Sequence, residues 1–290
     1  MALACVGDGI VDVYPSLRLA FPGGSALNTA VAVRRSGVES SYLGTVGSDP
    51  SGQILLKALL EENVETSHVR VLDGPTAYCT VDTVDGERVF GAADAGVSRV
   101  LLDKEDLDYL AGFEIVHSGD NSRCEDKLAD MADVATLSYD FGERPAEYWM
   151  HLAPHVRVAC FSGLRLAAGE AEDLARAAAG FGPKLVLVSQ GARGAMVLDG
   201  TVIHRVGSAV SPVDTLGAGD SLIGCFLGEI LSGETPREAL AAATEVAVAT
   251  CLHHGAFGHG RDFAEGAPLE GLPDPRWPRV FDASAHPKRD

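Results

Sequence analysis

The chain has 290 residues, 46% of them hydrophobic, enough to bury a large core; that length fits one large α/β domain with an accessory piece better than two equal domains. Its formal net charge of −18 argues against a nucleic-acid or anionic-membrane surface, so an anionic ligand needs locally placed backbone donors or a metal ion. No stretch approaches the roughly 20 apolar residues of a membrane span, and the first residues lack the basic and long apolar regions of a signal peptide, which predicts a cytoplasmic protein.

In chain order, Leu3-Ala4-Cys5-Val6 predicts a first strand, and 11–19 then lacks helical spacing. A helix over 51–60 carries Leu55, Ala58 and Leu59 at i, i+3, i+4, with Ser51 as its expected N-cap. Residues 78–90 read as two strands joined at Asp85-Gly86. Asp103, followed by Asp106 and Leu107, opens another helix. Ile115-Val116-His117, Val156-Arg157-Val158-Ala159 and Leu185-Val186-Leu187-Val188 predict further strands, and 236–252 is the last long helical pattern. Strands alternating with helices predict an α/β fold: a doubly wound, mostly parallel sheet flanked by helices. Two segments, about 11–21 and 76–97, break that rhythm and predict a small β-sheet lid. The domain is expected to span 1–257, and 258–290, rich in Pro, Gly and charge, to form an extended C-terminal tail. The cysteines are scattered without a CxxC pair and are expected to be reduced core residues.

The densest chemistry lies in Val213-Asp214-Thr215-Leu216-Gly217-Ala218-Gly219-Asp220-Ser221, just before a helical run. Small residues there let the first N–H groups of the helix approach a ligand, and those donors with the helix dipole make an anion site. An aspartate at its edge repels an anion but makes sense as a base that takes a proton from an attacking hydroxyl. The plainer reading of Asp220 is a helix N-cap. His253 and His254 are neighbours that cannot face one ligand from a helix, so packing or capping is expected of them rather than zinc binding.

Residues 214–220 match in full the Asp-Thr-x-Gly-Ala-Gly-Asp signature of the ribokinase/PfkB family of carbohydrate kinases, which the chain resembles over nearly all of 2–257. The resemblance implies a ribokinase-like fold, ATP with Mg2+ as cofactors, and a homodimer whose lids clasp each other, with Val13 and Tyr14 as contacts. It implies Asp220 as general base, an anion hole from the N–H groups of Ala218, Gly219 and Asp220, and Gly217 as a catalytic-site residue beside them. Gly23-Gly24-Ser25-Ala26-Leu27-Asn28 looks like the family's Gly-Gly-x-x-x-Asn segment, so Gly23, Gly24, Asn28, Asp12, Asp8 and Arg88 are implied acceptor-binding residues. Ser189, Gly191, Arg193 and Gly194 resemble the turn along the nucleotide phosphates, and Thr215, His254 and Gly255 complete the implied ATP site. Taken alone, the Gly-x-x-Gly turn is equally a plain hairpin connection, and Arg193 a solvated surface residue. Within the family the likeness is greatest to kinases of glycated amines such as fructoselysine, which implies a sugar or glycated amino acid as acceptor.

One departure stands out: the family's Asn-x-x-Glu motif has no clean match. Phe161-Ser162-Gly163-Leu164-Arg165 stands in its place, leaving Asp140 and Glu170 as alternative carboxylates near a metal. Other sugars, sugar acids or nucleosides are alternative acceptors, and a non-catalytic sugar-binding protein is a second class. A dinucleotide-binding oxidoreductase is disfavoured, because Asp12 occupies the place of the third glycine after Gly7-x-Gly9 and Pro15 interrupts any helix. The chain has no P-loop and no protein-kinase signature set.

Overall fold

The computed structural model describes residues 1–84 and 87–262, with the side chains of residues 83, 84, 87, 88 and 168 outside the description. The main sheet holds β1 (Ala2–Val6), β4 (Glu39–Leu43), β9 (Ile115–Gly119), β10 (Thr136–Asp140), β11 (Val158–Ser162), β12 (Leu185–Ser189), β13 (Ala195–Asp199) and β14 (Val202–Val206). Their order is β14-β13-β12-β11-β10-β9-β1-β4. From β4 across to β12 every neighbour runs parallel, and β13 and β14 turn back antiparallel at one edge.

Side chains alternate between the two faces of each strand, and here both faces are apolar, as a doubly wound sheet requires. Leu3, Cys5, Val158, Cys160 and Leu187 enter one core, where α1 (Ser25–Arg35), α2 (Pro50–Glu61), α7 (Ala218–Ser232) and α8 (Pro236–Thr250) contribute Leu27, Leu55, Phe226 and Leu240. Ala4, Val6, Ala159, Phe161, Val186 and Val188 enter the other, with Leu110, Leu128, Trp149 and Ala175 from α3 (Lys104–Leu110), α4 (Leu128–Val134), α5 (Ala146–Trp149) and α6 (Ala168–Ala179). Each fully buried Leu, Val or Phe among them contributes about 1.5–3 kcal/mol relative to exposure, the alanines less.

A second sheet, in the order β15-β3-β2-β7-β8, is built from β2 (Ile10–Tyr14), β3 (Leu19–Gly23), β7 (Ala77–Val84), β8 (Glu87–Asp94) and β15 (Arg261–Asp262). β5 (Thr45–Gly47) and β6 (Arg70–Leu72) pair separately. One face of the second sheet, through Val11, Val13, Ala20 and Tyr78, joins the α1/α7 core. On the opposite face Tyr14, Phe21 and Val81 enclose Leu216 from the segment preceding α7. The Asp85-Gly86 turn expected between β7 and β8 lies outside the described residues, as does 263–290. The chain past residue 257 supplies Arg261–Asp262 as an edge strand on β3.

Three local expectations are corrected. Asp49, not Ser51, caps α2: its carboxylate accepts the Gly52 N–H at 2.9 Å, while Ser51 is buried after Pro50 in the first turn. Val13 and Tyr14 are buried within their own chain, at 3% and 5% exposure, and are not available as dimer contacts. The expected strand at 156–159 begins at Val158, because Val156 closes a single 3-10 turn. All six cysteines are free, and all but Cys79 are buried.

Candidate functional site

In an open parallel sheet the ligand crevice forms beyond the C-terminal strand ends. Here those ends carry Gly7-Asp8 after β1, Asp120 after β9 and Asp140 at the end of β10, facing the N-termini of α1 and α7. The Asp8 carboxylate caps α1 from outside, accepting the Ser25 N–H at 2.8 Å and the Ala26 N–H at 3.3 Å, as a negative charge at a helix N-terminus should. Ser122 Oγ also donates to it at 3.2 Å. Asp8 thereby helps to hold the start of α1 in place.

Asp220 sits in the first turn of α7, but the N-cap is Gly217, with φ +74°. The Asp220 carboxylate instead turns across to α1 and accepts Ser25 Oγ and Asn28 Nδ2, each at 2.8 Å. The two glycine-led segments, far apart in sequence, thus meet through one half-buried carboxylate. Asn28 is 6% exposed, and its Oδ1 is buried with no partner among the described residues, an acceptor in search of a donor.

Backbone freedom is needed at two places in this site. An added Cβ on Gly23 would lie 1.9 Å from Asp12 Oδ2, so the glycine leaves room for the buried Asp12 carboxylate. Gly24, at φ +107°, would press a Cβ against the Asp8 carbonyl at 2.6 Å. At the start of α7, Gly219 is exposed with open space around its Cα, and its N–H has no partner among the described residues. The Ala218 N–H donates to the Thr215 carbonyl at 3.3 Å, closing the turn.

Several of the other expected nucleotide residues also make structural contacts. The guanidinium of Arg193 donates to the carbonyls of Leu166 at 2.6 Å, Gly163 at 3.1 Å and Leu164 at 3.2 Å, and so clamps the loop after β11. Gly194, at φ +87°, leaves no room for a side chain against the Val206 carbonyl. Ser189 ends β12, Gly191 opens the turn and Thr215 is exposed. The Gly255 N–H donates to Asp214 Oδ2 at 3.1 Å. His254 meets the Tyr14 ring edge-on at 6.0 Å, and its buried Nδ1 has no partner among the described residues. The side chain of Arg88 lies outside the described residues.

Asp140 and Glu170 part company. Glu170 accepts the Ala167 N–H at 2.7 Å and caps α6. Asp140 stays at the crevice, where burial and the like charges of Asp120, Asp220 and Asp8 push its carboxyl up to about 7, against the Gly142 N–H that favours the ion. Asp120 is also raised by burial, offset by Arg144, whose Nε donates to it at 2.7 Å. Arg165 pairs with Glu143 at 3.7 Å. Among the described residues no three His, Cys, Asp or Glu side chains converge as a metal group.

Ser25, Asp120, Arg144 and Tyr14 were missed as site residues in the sequence, because each is brought in by the fold rather than by a motif. For Ser25 alone there was a signal: it stands three residues before Asn28, one helical turn away. His117, buried beside Ser138 at 3.0 Å, is held neutral, burial pushing its pKa to about 3.

The pfkB family carbohydrate kinase model matches residues 18–258. The chain is 36% identical over 268 residues to fructosamine kinase FrlD of Bacillus subtilis, covering 90% of this chain and 94% of that one. It is 36% identical over 262 residues to fructoselysine 6-kinase of Escherichia coli, covering 88% and 99% respectively. Among solved structures, Arabidopsis thaliana ribokinase complexed with ribose and ATP superposes with a TM-score of 0.77 at 19% identity, covering 88% of this chain and 95% of that one. The likeness to ribokinase shows that the fold is the expected ribokinase-like one.

Proposed function

The chain belongs to the pfkB family of carbohydrate kinases, and from that premise we propose that it carries the γ-phosphoryl group of ATP to the 6-hydroxyl of fructoselysine or a closely related glycated amine. The observation that carries the reading is the Asp220 carboxylate, gripped by Ser25 and Asn28 at the crevice and one residue beyond the open Gly219 N–H.

In this reading Asp220 accepts the proton of the attacking hydroxyl as the new O–P bond forms and ADP leaves. The N–H groups at the start of α7, Gly219 foremost, stabilise charge on the transferring phosphoryl group. Asp12 and the orphan Asn28 Oδ1 accept hydrogen bonds from the sugar hydroxyls. The turn 189–194 lies along the nucleotide. ATP enters as its magnesium complex: the crevice carboxylates are hard oxygen donors suited to Mg2+, but no three of them converge. That absence holds among the described residues, and the phosphates and waters would supply most of the ion's ligands with at most one or two crevice carboxylates; no step is assigned to a protein-held metal.

The acceptor choice draws on the two relatives named for fructosamine and fructoselysine, and on charge. Asp140, raised to about 7 in the free chain, would be drawn into its charged form by an ammonium group bound beside it, whereas Asp120 is already paired with Arg144; an ammonium-bearing sugar therefore gains a partner at Asp140 that a neutral one does not. We place the enzyme in the cytoplasm, where ATP is plentiful and free cysteines persist; no helix among the described residues is long and apolar enough to cross a membrane. We assign a homodimer contact to the edge strand β8, where Val89 and Phe90 are 44% and 55% exposed. Turnover of fructoselysine by the purified protein with ATP and Mg2+ tests the reading; absence of any phosphorylated product would remove it.

A further inference from the structure

One strand of the second sheet touches both halves of the proposed reaction. Asp12 and Tyr14 stand two residues apart on β2, so their side chains leave the same side of the strand, opposite Val11 and Val13 in the main core. Asp12 faces the acceptor. The Tyr14 hydroxyl donates to Asp214 Oδ2 at 2.5 Å, a short charge-assisted bond. The same carboxylate accepts the Gly255 N–H at 3.1 Å on Oδ2 and the Leu216 N–H at 3.0 Å on Oδ1. A single side chain therefore ties the lid strand, the loop that opens α7 and the segment that follows α8.

The loop has little freedom once Asp214 is held. Leu216 is packed beneath Tyr14, Phe21 and Val81. Gly217 takes φ +74° with Ala256 so close that an added Cβ would come within 2.3 Å, and Gly219 and Asp220 follow at once in the first turn of α7. Packing alone does not call for the hydroxyl. The Tyr14 ring meets Phe21 edge-on at 5.3 Å and is 5% exposed, contacts that a phenylalanine would keep. What the hydroxyl adds is the link to Asp214.

We propose that Tyr14 is a positioning residue that couples the two substrate sites: a sugar held by Asp12 fixes β2, and the Tyr14–Asp214 bond fixes the loop that presents the α7 N-terminus to the phosphoryl group. Coupling of this kind is reciprocal, so an acceptor that tightens nucleotide binding is itself tightened by nucleotide. The inference rests on the assignment of Asp12 to the acceptor and of the α7 N-terminus to the nucleotide.

The test is Tyr14→Phe in the full chain, with calorimetric titration of a non-hydrolysable ATP analogue and Mg2+ in the absence and presence of saturating fructoselysine. The parent is expected to bind the nucleotide at least about 5-fold tighter with the sugar present, the lower end of typical coupling. In Tyr14→Phe that ratio should fall below about 2-fold, while the affinity for each ligand alone stays near that of the parent. Asp214→Asn reads the same ratio should Tyr14→Phe fail to fold. A ratio in the variant equal to the parent's, even with a lowered Tm, would reduce the bond to a structural tie and overturn the inference. A parent that binds both ligands with a ratio of one overturns it too. A parent that binds neither ligand defeats the functional reading, and this inference falls with it.

Discussion

Replacing Asp220 with Asn changes one oxygen to an amide nitrogen at a point where two donors converge. Asn28 Nδ2 can keep its bond by donating to the new Oδ1, and the Ser25 hydroxyl can turn to accept from the new Nδ2. Two charge-assisted bonds thereby become neutral ones, a loss of about 1 kcal/mol each, to be discounted because Asp220 is partly open to solvent. Tm should fall by only a few degrees, since about 1 kcal/mol moves a domain of this size by about 2–4 °C. Turnover should fall far more. Losing the proton acceptor costs about 10²–10⁴ in kcat, equivalent to about 3–5 kcal/mol of barrier at 1.36 kcal/mol per tenfold. Calorimetric titration of each ligand, thermal melting and steady-state kinetics on one preparation separate these effects. If Asp220→Asn binds both ligands, melts near the parent and turns over within a few-fold of it, Asp220 is not the base, and its carboxylate serves only to join α1 to α7.

Asp12→Ala should raise the acceptor KM by about 5- to 100-fold, matching the loss of about 1–3 kcal/mol when buried hydrogen-bond partners are left unmatched, with a much smaller change in the ATP KM; equal changes in both would count against its role. Asp140→Asn should lower kcat/KM for fructoselysine at least tenfold while leaving that for neutral fructose nearly unchanged, since only the former carries a cation to lose; parallel losses would show that the acidic crevice does not select charge. The same variant makes a prediction about stability. The Asp140 carboxyl is raised from 3.8 to about 7 in the folded chain, so between those values the folded state holds a proton that the unfolded chain has released, and parent stability falls as pH rises through this window. Asp140→Asn should therefore melt increasingly above the parent from about pH 4 to about pH 7, and a constant difference would contradict the assigned burial and charge. Arg193→Ala should lower Tm by a few degrees through the loss of three carbonyl contacts, with the ATP KM within a few-fold of the parent; a large KM change alone would return Arg193 to the nucleotide.

The sheet was legible because its strands are apolar on both faces, as in Leu185-Val186-Leu187-Val188, and because helical runs separate them. The lid strands showed as a break in that rhythm. Motif positions were legible wherever glycine is required by geometry, as at Gly23, Gly24 and Gly217, since such requirements act over a few residues. What escaped depends on tertiary approach. Asp8 was expected to assist with the sugar; that it also caps α1 is visible only once β1 places it opposite Ser25. Arg193 read equally as a phosphate neighbour or a surface residue, and only the fold shows that it holds carbonyls of a loop about 30 residues earlier in the chain. Tyr14 was expected at a subunit interface, and its hydroxyl finds Asp214 200 residues away. Asp120 and Arg144 carry no motif at all, and only the shared ends of β9 and β10 bring them to the crevice.

The most direct test of the central claim is a phosphorylation assay with ATP and Mg2+ across fructoselysine, fructose, ribose, a keto-deoxy sugar acid and a nucleoside, with the product position read by phosphorus and carbon NMR. The account predicts the highest kcat/KM for fructoselysine, at least tenfold above fructose, with phosphate on the 6-oxygen. A preference for ribose or the nucleoside, or phosphate on another oxygen, would contradict it.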